Sequence, residues 1–438
     1  MLCLGYNHRY RNICSHLYSG VIKLDRVILH CDANSYYASV ECLYTPQIRN
    51  KPVAVSGNAE ARHGIILTKN TIAKGYGVKT GEAIWQAKQK CPELICVPPD
   101  FDLYVRFSGK MRRIYEQYSS RVESFGLDEN WIDLTQAGFT FADGVQIADE
   151  IRNRIREELG ITVSIGVADN KILAKLGSDM KKPDAVTALP PESFREKIWD
   201  LPVQELLYVG PSTTRKLARL GITTIGDLAR CDSGVLYSLL GKNGPMLKAY
   251  ANGEDRTPVM PIDHRGCVKS VGNSTTPPHD LTTMDDARCI YYLLAESVAA
   301  RLRKGGFRAK CISISARTTD LVTRSHQLML RRCTNLTDEL AHAAMTLFAQ
   351  RFAHGFPYRS VGLSCSMLSG DDEPVQLDFM GNESRRIHQE QLEHSIDSLR
   401  SRYGHQIIQR GVVLQDRGYA QINPVEDHTV HPVPMFTG

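Results

Sequence analysis

Apolar and polar residues follow two different periods along the first part of the chain, and the changes of period predict its elements. The apolar segment 27–32 (VILHCD) predicts a buried strand, and 51–57 and 64–68 predict two further strands. A helix is predicted between the first two of these strands, and residues 101–118, with apolar positions at helical spacing, predict another.

A hairpin, a further amphipathic helix and a strand follow, over residues 124–135, 147–159 and 161–168. The order strand, helix, hairpin, helix, strand predicts an α+β domain with helices packed on a mixed sheet. Residues 201–230 then predict short helices broken by a Gly-Pro turn, and the polar, proline-containing stretch 254–265 predicts a linker.

Between residues 269 and 368 the pattern changes to strand, helix, two strands, helix, strand. This β-α-β-β-α-β order is typical of a ferredoxin-like unit. The last 70 or so residues predict one helix, at about 383–403, and a tail rich in proline and histidine that we expect to be mobile.

Length and composition exclude several classes of protein. At 438 residues the chain is about three times a typical domain of ~150, so we expect three or more domains. Hydrophobic residues make up 42% and charged residues 23%, which excludes a disordered or fibrous chain. No run approaches the ~18 apolar residues of a membrane span, so we expect no membrane-crossing segment.

The cysteines and the N-terminus bear on location. Twelve cysteines occur without CxxC pairs and without a secretory signal, which favours reduced thiols in the cytoplasm over a disulfide framework or a zinc site. Residues 1–23 are basic and lack the apolar core of a signal peptide. We expect them to form a disordered extension, with folded structure beginning at Leu24.

Positive charge is concentrated in one segment. The whole chain has a formal net charge of +5. Between Arg301 and Arg332, however, nine Lys or Arg residues occur against one acid, Asp320, which gives that segment a net charge of +8. Such a concentration indicates a polyanionic partner.

Three carboxylates are candidates for chemistry. Asp32 ends the first predicted strand, and Asp128 and Glu129 lie near the tip of the predicted hairpin. Carboxylates that converge from neighbouring strands form an oxygen-rich, anionic site suited to Mg²⁺. Two such ions ~4 Å apart can hold the attacking and leaving oxygens of a phosphoryl transfer. Alternatively, an Asp-Glu pair at a turn is ordinary solvated charge.

Four motifs together resemble the Y-family (translesion) DNA polymerases over about residues 24–370. They are HCDANSYYASVE (30–41), GLDENWIDLT (126–135), SIGVADNKILAKLGSDMKKPDAVT (164–187) and KSVGNSTTPPHDL (269–281). The resemblance implies an α+β, right-hand polymerase with a palm of mixed sheet and helices. It also implies small fingers, a helical thumb with a helix–hairpin–helix, and a ferredoxin-like little finger.

The implied domains are a palm (24–36 and 97–192), fingers (37–96), a thumb (193–260) and a little finger (261–370). Residues 371–438 would form a C-terminal tail. The resemblance implies error-prone synthesis past damaged bases, without a proofreading exonuclease, by a protein that we expect to be monomeric. Two alternatives remain open, a non-catalytic DNA-binding paralogue and another two-metal palm enzyme such as a nucleotide cyclase.

The resemblance assigns roles around the carboxylates. Asp32 and Asp128 would bridge two Mg²⁺ ions, Glu129 would complete the site of the ion that activates the primer 3′-hydroxyl, and the Ala33 carbonyl would be a further ligand. Tyr37, five residues after Asp32, would be the steric gate that excludes a 2′-hydroxyl. The alternative is that both tyrosines of the pair are core aromatics.

Contacts to the dNTP are expected from Tyr36, from the fingers and from the SDMKKP segment. The family usually has a tyrosine and an arginine where this chain has Thr71 and Lys74. Thr71 keeps a hydroxyl without the ring, and Lys74 keeps the charge without the bidentate geometry of arginine. Lys182 matches the family lysine that reaches the phosphates, although a solvated lysine beside Pro183 is the alternative.

Contacts to primer–template DNA are expected from two regions. The segment around Tyr208 resembles a helix–hairpin–helix, in which backbone N–H groups bind phosphate; its candidates are Val209, Gly210, Arg215 and Lys216. An ordinary helical turn is the alternative. The ferredoxin-like unit supplies six candidate phosphate contacts, with a solvated face as the alternative; they are Arg308, Lys310, Arg317, Arg324, Arg331 and Arg332.

A last motif concerns a protein partner. The segment PVQLDFMG (374–381) resembles the short peptides by which bacterial polymerases bind the replication sliding clamp. Gln376, Leu377 and Phe379 would be its anchors in a groove of the clamp. A stray apolar loop is the alternative.

Overall fold

The computed structural model describes residues 26–57, 64–264, 266–370 and 382–423; of Asn382, Glu383 and Arg417 it describes the backbone only. The strands in chain order are β1 (Ile28–Ala33), β2 (Val53–Ser56), β3 (Ile66–Lys69), β4 (Ile95–Val97), β5 (Val122–Ser124), β6 (Glu129–Asp133), β7 (Val163–Ala168), β8 (Val186–Ala188), β9 (Ser270–Thr275), β10 (Phe307–Thr318), β11 (Thr323–Thr334) and β12 (Tyr358–Gly370).

The α-helices in chain order are α1 (Tyr36–Tyr44), α2 (Thr71–Gly75), α3 (Ile84–Lys90), α4 (Phe101–Tyr115), α5 (Phe141–Arg154), α6 (Lys171–Met180), α7 (Phe194–Ile198), α8 (Pro211–Ala218), α9 (Ile225–Arg230), α10 (Ser233–Leu240), α11 (Asn243–Ala251), α12 (Met284–Lys304), α13 (Thr337–Arg351), α14 (Asn382–Tyr403) and α15 (Arg417–Ala420). No described helix has the length and apolar character needed to cross a membrane.

The described chain forms two compact units. The first contains residues up to 34 and 106–262, and the second contains 35–105 and 263 onward. The fold is α+β, as the sequence predicts, because each unit combines sheets with helices that cover them.

A five-stranded sheet with the order β5-β6-β1-β7-β8 organises the first unit. Every residue of β1 and of β7 is buried, which explains why these strands are nearly continuous apolar runs. Helices α5 and α6 pack against the sheet. The short helices α7 to α11 share an apolar core with α6, built from residues such as Leu173, Ile198, Leu217 and Leu236.

The second unit contains two separate sheets. The smaller has the order β3-β2-β4 and a small core with α2 and α3 that includes Ala54, Ile66 and Ala87. The larger has the order β11-β10-β12-β9, with α12 and α13 packed on one face. This confirms the predicted ferredoxin-like order of strands and helices between residues 269 and 368.

Residues 404–423 pack against the protein, whereas the proline- and histidine-rich residues 424–438 of the expected mobile tail lie outside the described residues. Beyond α14 the chain continues in short turns to residue 423, and Val413 and Tyr419 are buried in the core of the larger sheet's layer. Because residues 405–423 have a mixed polar composition, the burial of these two residues was not predicted from the sequence. The prediction of a helix at about 383–403 is confirmed by α14.

Buried ion pairs fasten this region to α12 and α13. Arg303 is 6% exposed and donates to Glu393, to Asp397 at 2.7 Å and to the Asn335 carbonyl at 2.7 Å. Glu296 accepts from Arg400 at 2.9 Å and from Arg410 at 3.1 Å. We call this set of six side chains the C-terminal charge network; its members are Glu296, Arg303, Glu393, Asp397, Arg400 and Arg410.

Candidate active site

The register of the five-stranded sheet brings the three predicted carboxylates together. Asp32 on β1 is the cross-strand partner of Glu129 on β6. The backbone N–H of Ala33 donates to the Asp128 carbonyl at 3.1 Å, so the turn before β6 is fastened to the end of β1. Strands β5 and β6 form the predicted hairpin, in which Asp128 and Glu129 follow the tip. The expectation of acids on neighbouring strands of one sheet is therefore confirmed.

Burial and mutual repulsion make two of these acids unusually weak. Burial raises the pKa of Asp32 to about 6, although Lys182 opposes the change. Burial, together with the charges of Asp32 and Glu129, raises the pKa of Asp128 to about 7. The sheet thus crowds negative charge where solvent is largely excluded, and a cation placed there would relieve the repulsion.

Glu129 behaves differently because cationic and polar groups surround it. Burial alone would raise its pKa, but the contact with His30 and the charge of Lys175 lower it to about 2. Lys175 Nζ lies 2.5 Å from Glu129 Oε2. Glu129 is therefore ionised over the whole range in which Asp32 and Asp128 titrate.

A second lysine reaches Asp32. Lys182, just beyond α6, places Nζ 2.6 Å from Asp32 Oδ2 and 2.8 Å from Asp179 Oδ1. Burial lowers the pKa of Lys182, but the charges of these two acids outweigh it and raise the pKa overall. The lysine predicted to contact the phosphates is thus paired with a predicted metal ligand in this structure.

Two glycines explain how α6 comes so close to the sheet. A Cβ on Gly166 of β7 would lie 1.9 Å from the Ala174 carbonyl oxygen, and one on Gly177 would lie 3.2 Å from the Gly166 Cα. Only glycine at position 166 permits this backbone contact. Asn170 begins α6 by accepting from the Leu173 N–H at 2.9 Å. Together these features place Lys175 beside the carboxylates.

Three residues behind Glu129 were not predicted from the sequence: His30, Lys175 and Ser178. His30 is fully buried, with Nε2 3.3 Å from Glu129 Oε2 and Nδ1 2.9 Å from Ser178 Oγ. His30 precedes Asp32 by two positions, and side chains two apart on a strand share a face. Lys175 and Ser178 precede Lys182 by seven and four positions, a helical repeat that could also have been recognised.

The carboxylate oxygens of Asp32, Asp128 and Glu129 are suitable ligands for a divalent cation, but they do not converge on one point in this structure. Carboxylate oxygens are the ligands that Mg²⁺ prefers. Within the residues that the structure describes, however, no group of three or more His, Cys, Asp or Glu side chains is arranged to hold a metal. The lysine contacts to Asp32 and Glu129 show one reason, since each lysine draws one carboxylate oxygen toward itself.

The predicted tyrosine pair lies in the second unit, at the start of α1. Tyr36 is 3% exposed and donates its hydroxyl to the Tyr104 carbonyl at 2.6 Å. That bond uses the only donor of the side chain, and the dNTP contact of Tyr36 stays a prediction. Tyr37 stacks on Tyr104, with ring centroids 4.3 Å apart, and meets Phe101 edge-on.

Thr71 and Lys74 lie on the short helix α2, which Asn70 caps. Both are exposed and are separated by about one turn, so they project from the same side of the helix. The structure thus brings these two predicted dNTP contacts together.

The predicted helix–hairpin–helix covers the turn before α8 and the helices α8 and α9, and the motif itself stays a prediction. Val209 is buried, whereas Arg215 and Lys216 are exposed. Gly210 has an ordinary φ of −81°, and a Cβ there would meet nothing within 4 Å. Packing and backbone conformation therefore do not require glycine at this position.

The six predicted cations of the larger sheet do not form one uniform face. Arg308 pairs with Glu390 at 3.1 Å, and Lys310 donates to the Arg331 carbonyl at 2.7 Å. Arg324 is the cross-strand partner of Ala316, whose side chain is in the core, so it lies on the helix side of β11. Arg317, Arg331 and Arg332 are exposed.

The net charge of +8 over residues 301–332 is therefore partly offset, because α14 supplies acidic partners. Glu393 and Asp397 neutralise Arg303, and Glu390 neutralises Arg308. A count of charge along one segment does not include acids some ninety residues away in the sequence. The predicted clamp-binding residues Gln376, Leu377 and Phe379 lie outside the described residues.

Comparison with known proteins identifies the family. Residues 31–179 match the impB/mucB/samB family, and residues 268–379 match the impB/mucB/samB family C-terminal domain. The chain is 48% identical to DNA polymerase IV of Acetivibrio thermocellus over 91% of its length and all of that protein. It is 39% identical to DNA polymerase IV 1 of Bacillus subtilis, covering 89% of this chain and 94% of the relative.

A solved structure agrees with these sequence relatives. The Y-family DNA polymerase chimera Dbh-Dpo4(243-245)-Dbh matches with a TM-score of 0.71 and 25% identity, over 78% of this chain and 99% of the chimera. The chain belongs to the impB/mucB/samB family, the Y family of DNA polymerases. It is a DNA-directed DNA polymerase of the translesion class, a metal-dependent nucleotidyltransferase that acts on DNA and deoxynucleoside triphosphates.

Proposed function

We propose that the chain copies damaged templates by nucleotidyl transfer assisted by two Mg²⁺ ions at Asp32, Asp128 and Glu129. The observation that carries the proposal is the cross-strand pairing of Asp32 with Glu129, beside the Ala33–Asp128 hydrogen bond. Asp32, Asp128 and Glu129 would hold the ions, with the Ala33 carbonyl as a further ligand. Bound ions would activate the primer 3′-hydroxyl and neutralise charge that develops on the phosphates.

In this reaction the primer 3′-oxygen forms a bond to the α-phosphorus of the dNTP, and the bond from that phosphorus to the bridging oxygen breaks, so that pyrophosphate leaves. Lys182 would exchange its contact with Asp32 for one with the triphosphate. Its side chain is 29% exposed, so it can move without unpacking a core. Thr71 and Lys74 on α2 would add phosphate contacts.

Selection of deoxyribose is proposed for Tyr37. Its ring is stacked on Tyr104, and the Tyr104 hydroxyl donates to Glu41 Oε1 at 2.5 Å. A ring held in this way cannot swing aside for a 2′-hydroxyl. The proposed gate is therefore supported by the rigidity of the aromatic stack.

DNA binding is proposed for the α8 hairpin and for the open face of the larger sheet. At Gly210 the backbone is unobstructed, so a phosphate could approach the N–H groups at the start of α8. On β10, Ile312 and Ile314 face the core, so Ser313, Ser315 and Arg317 lie on the open face. Short hydroxyl side chains beside exposed arginine suit contacts to the DNA backbone.

The remaining expectations stay proposals. We propose the division into palm, fingers, thumb and little finger at the boundaries given above, a monomer, a clamp-binding peptide at 374–381 and the absence of proofreading. A cytoplasmic location is supported by the ten cysteines in the described part of the chain, all of which are free.

Primer extension tests the proposed function. Wild type and the Asp128→Ala/Glu129→Ala double variant would be compared on undamaged and damaged templates with Mg²⁺ and all four dNTPs. We expect extension and lesion bypass by the wild type alone, with equal DNA binding by both proteins. Equal extension by both proteins would refute the assignment of the carboxylates, and DNA binding without extension by either would favour a scaffold role.

A further inference from the structure

One residue of α4, Tyr104, contacts two side chains of α1 that lie one helical turn apart. Its ring is stacked on the ring of Tyr37, with centroids 4.3 Å apart and an angle of 12° between the two planes. Its hydroxyl donates to Glu41 Oε1 at 2.5 Å. Tyr37 and Glu41 are four residues apart and therefore share one face of α1. All three side chains belong to the same compact unit.

The ring of Tyr104 is enclosed on several sides. It is fully buried, whereas Tyr37 and Glu41 are half-buried. Phe101, one turn earlier on α4, meets both tyrosine rings nearly at right angles, with its centroid 6.0 Å from that of Tyr37 and 5.9 Å from that of Tyr104. Tyr36 donates its hydroxyl to the Tyr104 carbonyl at 2.6 Å. Because the side chain and the backbone of Tyr104 are both held, its ring is a fixed support for the ring of Tyr37.

The contact with Glu41 fixes the ring of Tyr104 at its hydroxyl end. Burial, together with Glu41, raises the pKa of the Tyr104 hydroxyl, so this group keeps its proton at neutral pH and can donate it. The bond adds a directional contact to the packing of the ring. Glu41 thus influences the orientation of the Tyr37 ring through Tyr104, from one turn further along α1.

This arrangement sets the free-energy cost of moving Tyr37. To make room for a 2′-hydroxyl, the ring of Tyr37 has to move away from the sugar, and the movement separates it from Tyr104. A stacked aromatic pair contributes more than the apolar area that it buries. A ring without this support would move at a lower cost, and the site would then accept a ribonucleotide more readily.

We propose that Tyr104 and Glu41 are positioning residues that determine how strictly the enzyme selects deoxyribonucleotides, because they hold the ring of Tyr37 in place. The inference rests on the proposed role of Tyr37 as the steric gate. Tyr104 is fully buried, so it acts through Tyr37 and not on the nucleotide itself. Loss of this support therefore changes the ratio between the two sugars more than it changes the rate with the correct nucleotide.

The ratio of kcat/KM for dCTP to kcat/KM for CTP, measured with the full chain opposite a template guanine, reports this selection. We expect Tyr104→Leu to lower the ratio roughly 3–10-fold, the factor that corresponds to one aromatic pair, mainly by raising kcat/KM for CTP. Glu41→Ala should lower the ratio by a smaller factor, because the stacking is kept. Glu41→Gln, whose amide oxygen can accept the same hydrogen bond, should stay close to the wild type.

Met111→Ala is the control for general destabilisation, because Met111 is fully buried on α4 about two turns beyond Tyr104. It should keep the wild-type ratio. The double variant Tyr37→Ala/Tyr104→Leu should have the same ratio as Tyr37→Ala alone, because Tyr104 acts through Tyr37. Should Tyr104→Leu fail to fold in circular dichroism, the comparison of Glu41→Ala with Glu41→Gln tests the same support from α1.

A folded Tyr104→Leu variant with the wild-type ratio would overturn the inference. An equal fall of the ratio in Met111→Ala would also overturn it, since general loosening of the fold would then be responsible. A ratio in the double variant well below that of Tyr37→Ala would show that Tyr104 acts independently of Tyr37, which the inference excludes. An unchanged ratio in Tyr37→Ala would instead refute the proposed steric gate itself.

Discussion

Glu129 on β6 and Glu393 on α14 are both acids with a cationic partner in a buried setting, yet their surroundings differ. Glu393 accepts from Arg303 and from the Thr337 N–H and hydroxyl, with Arg410 at 3.4 Å. Glu129 has Lys175 and His30 on one oxygen, and its neighbours in the sheet are two further acids. The C-terminal charge network is closed, whereas the carboxylates of the five-stranded sheet repel one another.

The comparison shows that buried charges can either stabilise the fold or form a site that binds a cation. Where every acid meets donors, removal of one partner leaves an uncompensated charge and destabilises the fold. Where acids lie close together, their mutual repulsion lowers the stability of the fold, and a cation from solution can relieve that repulsion. The pKa of about 7 for Asp128 expresses this second case.

The largest expected effect concerns activity in the five-stranded sheet. Asp128→Asn should lower the rate of extension by roughly 10³-fold or more, because metal stabilisation of transition-state charge is worth several kcal/mol. Single-turnover primer extension with Mg²⁺ measures the change. Glu393→Gln is the control, assayed at a temperature where it is folded, and it should extend the primer at close to the wild-type rate. A similar loss of rate in both variants would contradict the distinction between the two sets of acids.

The next effect concerns stability in the C-terminal charge network. Glu393→Gln should destabilise the second unit by about 1.5–3 kcal/mol, because the buried Arg303 loses one of its two carboxylate partners and keeps only Asp397. Urea unfolding followed by circular dichroism measures this loss. The double change Arg303→Met/Glu393→Met should recover much of it, and a double variant less stable than Glu393→Gln would contradict the argument.

A third effect is a pH-dependent change in the stability of the five-stranded sheet. Its sign is opposite to that expected for Glu393→Gln, because removal of the Asp128 charge should stabilise the fold. The pKa of Asp128 is raised from 3.8 to about 7, so the fold favours its neutral form, and that stabilisation is lost as pH rises through 7. Because the unfolded carboxyl already ionises above pH 3.8, the stability advantage of metal-free Asp128→Asn over the wild type should be larger at pH 8.5 than at pH 5 by about 1–3 kcal/mol. Urea unfolding in a chelator at both values measures this, and an equal difference at both would contradict it.

The smallest effect concerns the salt dependence of DNA binding. Arg317→Ala and Arg331→Ala should each reduce the slope of log K against log salt by about 1, since each exposed arginine is expected to contact one phosphate. Fluorescence anisotropy between low and moderate salt measures the slope. Arg308→Ala is the matched control, because the pairing of Arg308 with Glu390 should leave the slope nearly unchanged. A decrease of a full unit for Arg308→Ala would instead support the predicted uniform basic face.

The sequence by itself determined the order of the elements, the family and the three carboxylates. Period-two and helical apolar patterns are local, so β1, the hairpin and the ferredoxin-like order were predictable within a few residues. The spacing from Asp32 to the tyrosine pair is also local, and so was visible without coordinates.

Tertiary structure alone decided which charges are available and which are paired. Arg308 was predicted as a DNA contact and Arg303 was counted in the net charge of +8, because their acidic partners on α14 are distant in sequence. Likewise, the burial of Tyr36 depends on the packing of α4. The contacts of Lys175 and His30 with Glu129 depend on the packing of α6 against the sheet. Pairing and burial are relations across the fold, and they set the pKa of a group and its freedom to bind.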